Sequence, residues 1–364
     1  MGLGSGTDSE SRFLRYMKCL SSVIGHADRA RPLHDYCMGL LVSCGRKSVE
    51  PMAAITAPSD TSAQHQSLLH FIGNAGWSDE KVLAKVCEMV LPSMQRQGPI
   101  EAWILDDTGF PKHGKHSVGV QVQYCGQLGK EANCQVAVSL SIANHSVSLP
   151  VAYRLYLPQD WATDKVRRKK AGVPPDIRFR TNPEIALDQI RWACEAGLPR
   201  GVALMDAAYG VDSRLRTGMT ALDVSYVVGI QPKLLMWPPG TEPRRKGRRL
   251  NNTGRRDEPG LISAKRLARD LPGDAWQTIR WREGSAEWLS SRFARVRVRV
   301  GHTQLKAELI SEEWLLIEWP AGEPEPTKYW LSTLSADIAF RELVDFAKMR
   351  WRIERDYLEL KQEV

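Results

Sequence analysis

The chain changes its hydrophobic period at Gly98-Pro99, and that change restricts its architecture more than any other feature. Before it, from about Arg12 to Gln97, apolar residues recur at helical spacing, as in Leu83, Val86, Cys87, Val90 and Leu91. The polar run APSDTSAQ, residues 57–64, separates two of these helices. After it, residues 102–107, 117–124, 135–142 and 148–157 read as consecutive strands joined by Gly-, Lys- and Asn-rich turns. A helix is predicted from about Pro183 to Ala196, with Asn182 as its cap candidate and Gly197 at its end. A buried strand at 202–205 ending in Asp206, a helix near 213–221 and a strand at 224–230 complete the run.

A meander followed by alternating helix and strand is the order of an α/β, RNase H-like core, a mixed sheet with helices on both faces. Four segments follow: a helical N-terminal domain (1–98), open between DNA-end binding and simple packing; the first part of the core (99–232); a β-rich insertion (233–328); and a return to the core (329–364). Residues 233–300 hold about 17 basic and 7 acidic side chains, or about +10, which exceeds the +8 of the whole chain. Within them MWPPGTEPRRKGRRLNNTGRRDEPG is aperiodic and carries Arg244, Arg245, Lys246, Arg248 and Arg249. FARVRVRV alternates apolar residues with arginine, a half-buried strand, and 305–310 and 314–319 add further strands. From Asp337 to the end a single long amphipathic helix is expected, capped by Ser335 or Asp337. Phe346, Met349, Ile353 and Leu360 form its apolar stripe, and Ala347, Arg350, Glu354 and Lys361 a second one.

No stretch approaches the roughly 18 consecutive apolar residues of a membrane span, and the N-terminus lacks an export signal, so a cytoplasmic protein is expected. Seven scattered cysteines without a C-x-x-C pair read as reduced, buried hydrophobes. His113 and His116 are close enough to hold a metal, but a solvated turn or a phosphate contact suits that Lys-rich loop better.

Three acids stand where the elements end: Asp107 after the first core strand, Asp206 after the fourth, and Glu354 on the closing helix. First and fourth strands are neighbours in an RNase H-like sheet, so both aspartates would face one site. Three converging carboxylates repel one another and raise each other's pKa. Hard divalent cations, Mg²⁺ or Mn²⁺, resolve that repulsion through oxygen ligands, and a pair of them would promote in-line phosphoryl transfer. Singly, Asp206 reads equally as a turn residue and Glu354 as a surface partner of Arg350.

The segments DDTGFPKHGKHSVGVQVQYCGQLGKEANCQVAVSLSIAN, LPVAYRLYLPQDW, ALMDAAYG and RWRIERDYLELK resemble bacterial insertion-sequence DDE transposases, the insertion sequence 701 family within the insertion sequence 4 group. The resemblance implies cleavage at transposon ends in double-stranded DNA and transfer of the 3′-hydroxyl strand to a target, with two Mg²⁺ ions per site and a homodimeric, nucleoid-associated complex. It selects Asp107, which precedes Thr108, over Asp106, which strand alternation would turn to the opposite face to cap or to pair with a basic neighbour. It also implies Asp206 before Tyr209-Gly210 and Glu354 as the third acid, with Arg350 and Lys361 on the DNA backbone. The tyrosine expected ahead of Arg350 is replaced by Ala347. Trp330 matches a tryptophan that stacks a flipped base during hairpin formation; a core tryptophan is the alternative. The basic insertion would neutralise phosphates without reading bases. The chain stops ten residues past Glu354, short of helices expected there. A truncated, non-catalytic DNA-binding or inhibitory fragment is therefore the competing expectation.

Overall fold

A computed structural model describes residues 5–42, 48–241, 260–281, 288–301 and 311–362. The chain forms two compact units, Met1–Gln97 with Tyr357–Val364, and Gly98–Asp356. No helix among the described residues is long and apolar enough to cross a membrane.

The first unit holds α1 (Ser5–Ser21), α2 (Ala30–Leu41), α3 (Val49–Thr56), α4 (Thr61–Gly73) and α5 (Asp79–Gln97). Met17, Leu20, Ile24, Leu33 and Phe71 form one buried cluster, on which Trp77 stacks against Phe71 with ring centroids 5.6 Å apart. Met52, Ala53 and Leu68 form another. Asp60, in the middle of the predicted polar break, caps α4 through the Ala63 amide, so residues 61–64 of that break are the first turn of the helix.

The second unit is mixed α/β, as expected, and built on one large sheet. Its strands are β1 (Ala102–Pro111), β2 (Gln121–Cys125), β3 (Lys130–Ala143) and β4 (Ser148–Leu155). After the short helices α6 (Gln159–Thr163) and α7 (Lys165–Lys170) come α8 (Asn182–Glu195), β5 (Val202–Met205), α9 (Ala207–Gly210), α10 (Ser213–Ala221) and β6 (Tyr226–Gly229). The basic segment adds β7 (Leu235–Trp237), β8 (Ile262–Ser263), α11 (Ala264–Asp270), β9 (Gln277–Trp281), β10 (Leu289–Val300) and β11 (Glu313–Trp319). β12 (Lys328–Ser332), α12 (Phe340–Met349) and α13 (Arg352–Gln362) close the chain.

Among the described residues the sheet runs β2-β3-β1-β5-β6-β12-β11-β10-β7-β8, with β4 on β3 and β9 on β10. β1, β5 and β6 are parallel neighbours, whereas β3 is antiparallel to β1 and β12 to β6. The strands of the basic segment therefore extend the central sheet beyond β6 and β12. Ala102, Trp103, Ile104 and Leu105 are wholly buried, because β1 is covered on both faces and paired on both edges.

Several local expectations change. The strand predicted from 117 begins at Gln121, because Gly119 takes a left-handed backbone (φ +77°) and the Val120 amide turns back to Ser117. Thr181, not Asn182, caps α8, in a reciprocal box with Glu184. The single closing helix is two helices that break at Arg350-Trp351, and Ala339 precedes the first of them without a side-chain cap. Ser335 bonds Asp337 instead. The strand expected at 305–310, and the cations Arg244, Arg245, Lys246, Arg248 and Arg249, lie outside the described residues.

Candidate active site

The carboxylates collect at one end of the parallel strands because the pairing runs out there. β1 pairs with β5 from Ala102 and Val202 as far as Ile104 and Leu204. β5 ends at Met205, so Asp106 and Asp107 on β1 and Asp206 after β5 emerge together from the buried part of the sheet. Asp206 caps α9, its Oδ1 accepting from the Ala208 and Tyr209 amides at 2.9 and 3.4 Å. Gly210 is required in this turn: a Cβ there would stand 1.8 Å from the Gly229 carbonyl oxygen.

The two adjacent aspartates turn to different partners. Asp107 Oδ2 accepts from Asn182 Nδ2 at 3.0 Å and from the buried Tyr209 hydroxyl at 3.2 Å. Asp106 Oδ2 accepts from Arg350 at 2.7 Å, and its Oδ1 from the Asp107 amide at 2.9 Å. The same guanidinium donates to Glu354 at 2.5 Å. Alternation along the strand holds, and Asp106 pairs with a basic neighbour as expected: it faces Arg350 and, through it, Glu354. Asp107 faces the start of α8.

Burial pushes the Asp106 carboxyl up to about 7, with Asp206 and Asp107 adding to the rise and Arg350 opposing it. Burial also raises Asp107, opposed by the Tyr209 and Asn182 hydrogen bonds, while Asp206 adds to the rise. Burial works against the Arg350 charge, but Asp106, Glu354 and Asp206 outweigh it and hold the guanidinium above its ordinary value. Arg350 is thus the cation that three of the four acids share.

Those acids offer only oxygen, the donor set that hard Mg²⁺ or Mn²⁺ takes. Among the described residues no group of three acidic, histidine or cysteine side chains stands at ligand spacing, and Arg350 bridges Asp106 to Glu354. The chemistry of the set fits a divalent ion once the arginine gives up its bridge.

Glu354 is tied to the sheet by a residue that sequence reasoning passed over. Asp356 accepts from Ser141 on β3 at 2.9 Å and from Ser148 on β4 at 2.5 Å. Asp356→Ala leaves the fully buried Ser141 hydroxyl without that acceptor and should cost about 2 kcal/mol in urea unfolding. A loss below 0.5 kcal/mol, on the order of a neutral surface change, would show that the tie is not needed. Asn182 was read only as a cap; because Thr181 takes that role, its amide is free to reach Asp107. The signal was the Thr-x-x-Glu box one residue earlier.

The other predicted residues have surroundings of their own. Trp330 is 9% exposed, paired on β12 to both β6 and β11, with the Lys348 ammonium 5.4 Å from its ring centre. Lys348 is itself buried against Glu318 at 2.6 Å. Trp330 is therefore buried in the sheet, the core position weighed against base stacking in the sequence. The exposed indole of the basic segment is Trp288, 58% accessible. Lys361, in the first unit, stands 5.9 Å from the Tyr357 ring centre. The β10 arginines are engaged in packing: Arg292 lies 4.6 Å over Trp319, Arg295 4.6 Å over Trp314, and Arg299 bonds Glu312 at 3.3 Å.

A family model described as DDE superfamily endonuclease matches residues 17–287. The probable transposase for insertion sequence element IS701 of Microchaete diplosiphon is 28% identical over 195 residues, 53% of this chain and 47% of that protein. The match therefore spans about half the length of this curated relative.

Proposed function

Because the chain belongs to the DDE superfamily endonucleases, we propose that it is an insertion-sequence transposase, cutting double-stranded DNA at element ends and joining the freed 3′-hydroxyl to a target. The observation that carries this reading is Arg350 bridging Asp106 and Glu354 beside Asp206, where the parallel strands end. We further read the large sheet as an RNase H-like core, the helices of residues 5–97 as a DNA-end module, and the working assembly as a homodimer.

Asp106, Asp206 and Glu354 would hold two divalent ions, which when bound supply an activated hydroxyl and neutralise the phosphate under attack. The chain's own groups do the rest. Asp107, fixed by Asn182 and Tyr209, holds the end of β1 in register and adds negative charge beside the site. Arg350, released from its carboxylates, has its planar fork available for two phosphate oxygens. Asp206 is oriented by the two amides of the α9 turn, so one of its oxygens is spoken for and the other faces the site.

Incubation with supercoiled plasmid tests the reading. Nicked and linear DNA should accumulate with Mn²⁺ or Mg²⁺ and stop when EDTA removes the ion. Cutting that persists in EDTA would overturn the metal mechanism; salt-sensitive DNA binding with no cutting under any ion would select the non-catalytic fragment.

A further inference from the structure

The loop that leaves β1 and the short helix α7 form a second charged feature of the sheet-bearing unit. Asn133 Nδ2 donates to the Lys112 and Gly114 carbonyls at 2.6 and 2.9 Å, and Arg167 donates to the Lys115 carbonyl at 2.8 Å. The loop backbone is thereby fixed to β3 and to α7. Arg167 is fixed in turn, its guanidinium lying 3.6 Å over the ring of Trp161, whose indole donates to the Val120 carbonyl at 2.8 Å.

The side chains of this scaffold point the other way. Lys112, Lys115, Lys169 and Lys170 are all exposed, and none has an ion-pair partner among the described residues. The nearby acid Asp164 is occupied in capping α7, accepting from the Arg167 amide at 2.8 Å. Between loop and helix lies an open cleft of about 310 Å³ lined by His116, Trp161, Arg167, Lys170 and Ala171. Long cationic side chains cost ordering entropy and repel one another, so an ordered cluster of them without counter-charges suits a polyanion. From Asp107 to Pro111 the strand covers about 13 Å, at roughly 3.3 Å per residue. The cluster therefore begins about four base pairs from the carboxylates, taking about 3.4 Å per pair.

We infer that this cleft and its flanking lysines are a seat for the DNA phosphate backbone beside the cleavage point, with one phosphate in the cleft against Arg167, Lys170 and His116 and its neighbours on Lys112, Lys115 and Lys169. The seat is a backbone contact rather than a base reader, because its one guanidinium, Arg167, is already held by the Lys115 carbonyl and the Trp161 ring and its exposed groups are lysine point charges. It rests on the reading that the chain acts on DNA, and it places on a rigid part of the sheet-bearing unit a contact that the basic insertion was expected to make.

Fluorescence anisotropy of the full chain with a labelled duplex of arbitrary sequence, in EDTA and across a salt series, tests it. Lys112→Gln, Lys115→Gln, Lys169→Gln and Lys170→Gln combined should lower the slope of log K against log salt by about 3, from roughly 0.9 per phosphate contact. Affinity near the middle of the series should fall by at least about tenfold. A control with the same charge change elsewhere, Arg191→Gln, Arg200→Gln, Arg214→Gln and Arg341→Gln, all exposed and outside both the seat and the basic insertion, should shift the slope by less than about 1. An unchanged slope in the lysine variant, or an equal fall in the control, overturns the seat. Plasmid nicking on the same preparations is a separate readout. A slope change confined to the lysine variant supports the seat even if the wild type never cuts, whereas loss of cutting alone tests only the functional reading.

Discussion

Asp106→Asn, Asp206→Ala and Glu354→Ala should each lower Mn²⁺-dependent nicking by on the order of 10³-fold or more, whereas Asp107→Asn should lower it by about tenfold. The distinction rests on which acid faces the arginine. Asp106 and Glu354 share Arg350, and Asp206 adds to the field on it, whereas Asp107 spends its Oδ2 on Asn182 and Tyr209. Asp106 is drawn to the same cation as Glu354 and so shares its side of the site, whereas Asp107 is anchored toward α8 by Asn182 and Tyr209. Nicking lost with Asp107→Asn and kept with Asp106→Asn would reverse the assignment. A second readout needs no catalysis. The folded Asp106 carboxyl titrates at about 7 against an ordinary 3.8, so the stability it contributes is complete below about pH 4 and lost as pH rises through 7. Asp106→Asn removes that loss. In metal-free urea unfolding at pH 8 the variant should be more stable than the wild type by on the order of 2 kcal/mol, with the difference vanishing by pH 4. A divalent ion should raise the wild-type melting temperature at pH 8 and leave that of the variant unchanged.

Why the sequence reaches the two adjacent acids while periodicity alone does not choose between them follows from what periodicity contains. The two-residue alternation of a strand says that Asp106 and Asp107 point apart; it holds no information on which side the closing helix packs. That is decided by tertiary contacts such as Arg350 to Asp106, across 244 positions of chain. The elements themselves were legible where local patterns were strong: the strand at 202–205 and the helix at 213–221 coincide with β5 and α10. They were misplaced where one residue's backbone overrode the pattern, as Gly119 did for β2. The break at Arg350-Trp351 has no proline or glycine to announce it. Charge is ambiguous in a different way. The alternation of FARVRVRV marks a strand, but arginine on a strand suits indole stacking as well as phosphate, and it takes the positions of Trp314 and Trp319 on β11 to show that Arg292 and Arg295 stack.

Arg216→Met should destabilise the protein by about 3 to 5 kcal/mol, the cost of leaving a buried charge without its partner. Arg216 is 3% exposed on α10, donates to the carbonyl of Gly210, whose amide closes the Asp206 turn, and shares its charge with Glu313 at the start of β11. Glu313 is also buried; its carboxylate accepts from the Tyr226 hydroxyl at 2.9 Å. Burial raises the Glu313 pKa, and Arg216 is the strongest influence opposing that rise. Without the guanidinium the carboxyl must take up a proton to stay buried, so the folded-state pKa climbs further. A raised acid contributes stability below its unfolded pKa of 4.5 and loses it as pH rises through the folded value. The deficit of the variant should therefore be larger at pH 8 than at pH 5, and adding Glu313→Gln should recover part of it by removing the stranded charge. A loss under 1 kcal/mol, well below the typical cost of breaking a buried pair, would mean that the cluster is not what joins β11 to the turn. The consequence for activity is separable from stability. With the Gly210 carbonyl released, the α9 turn loses one of its restraints and Asp206 its fixed orientation. Plasmid nicking should then fall even at temperatures where the variant is fully folded, with the double variant regaining stability without regaining activity.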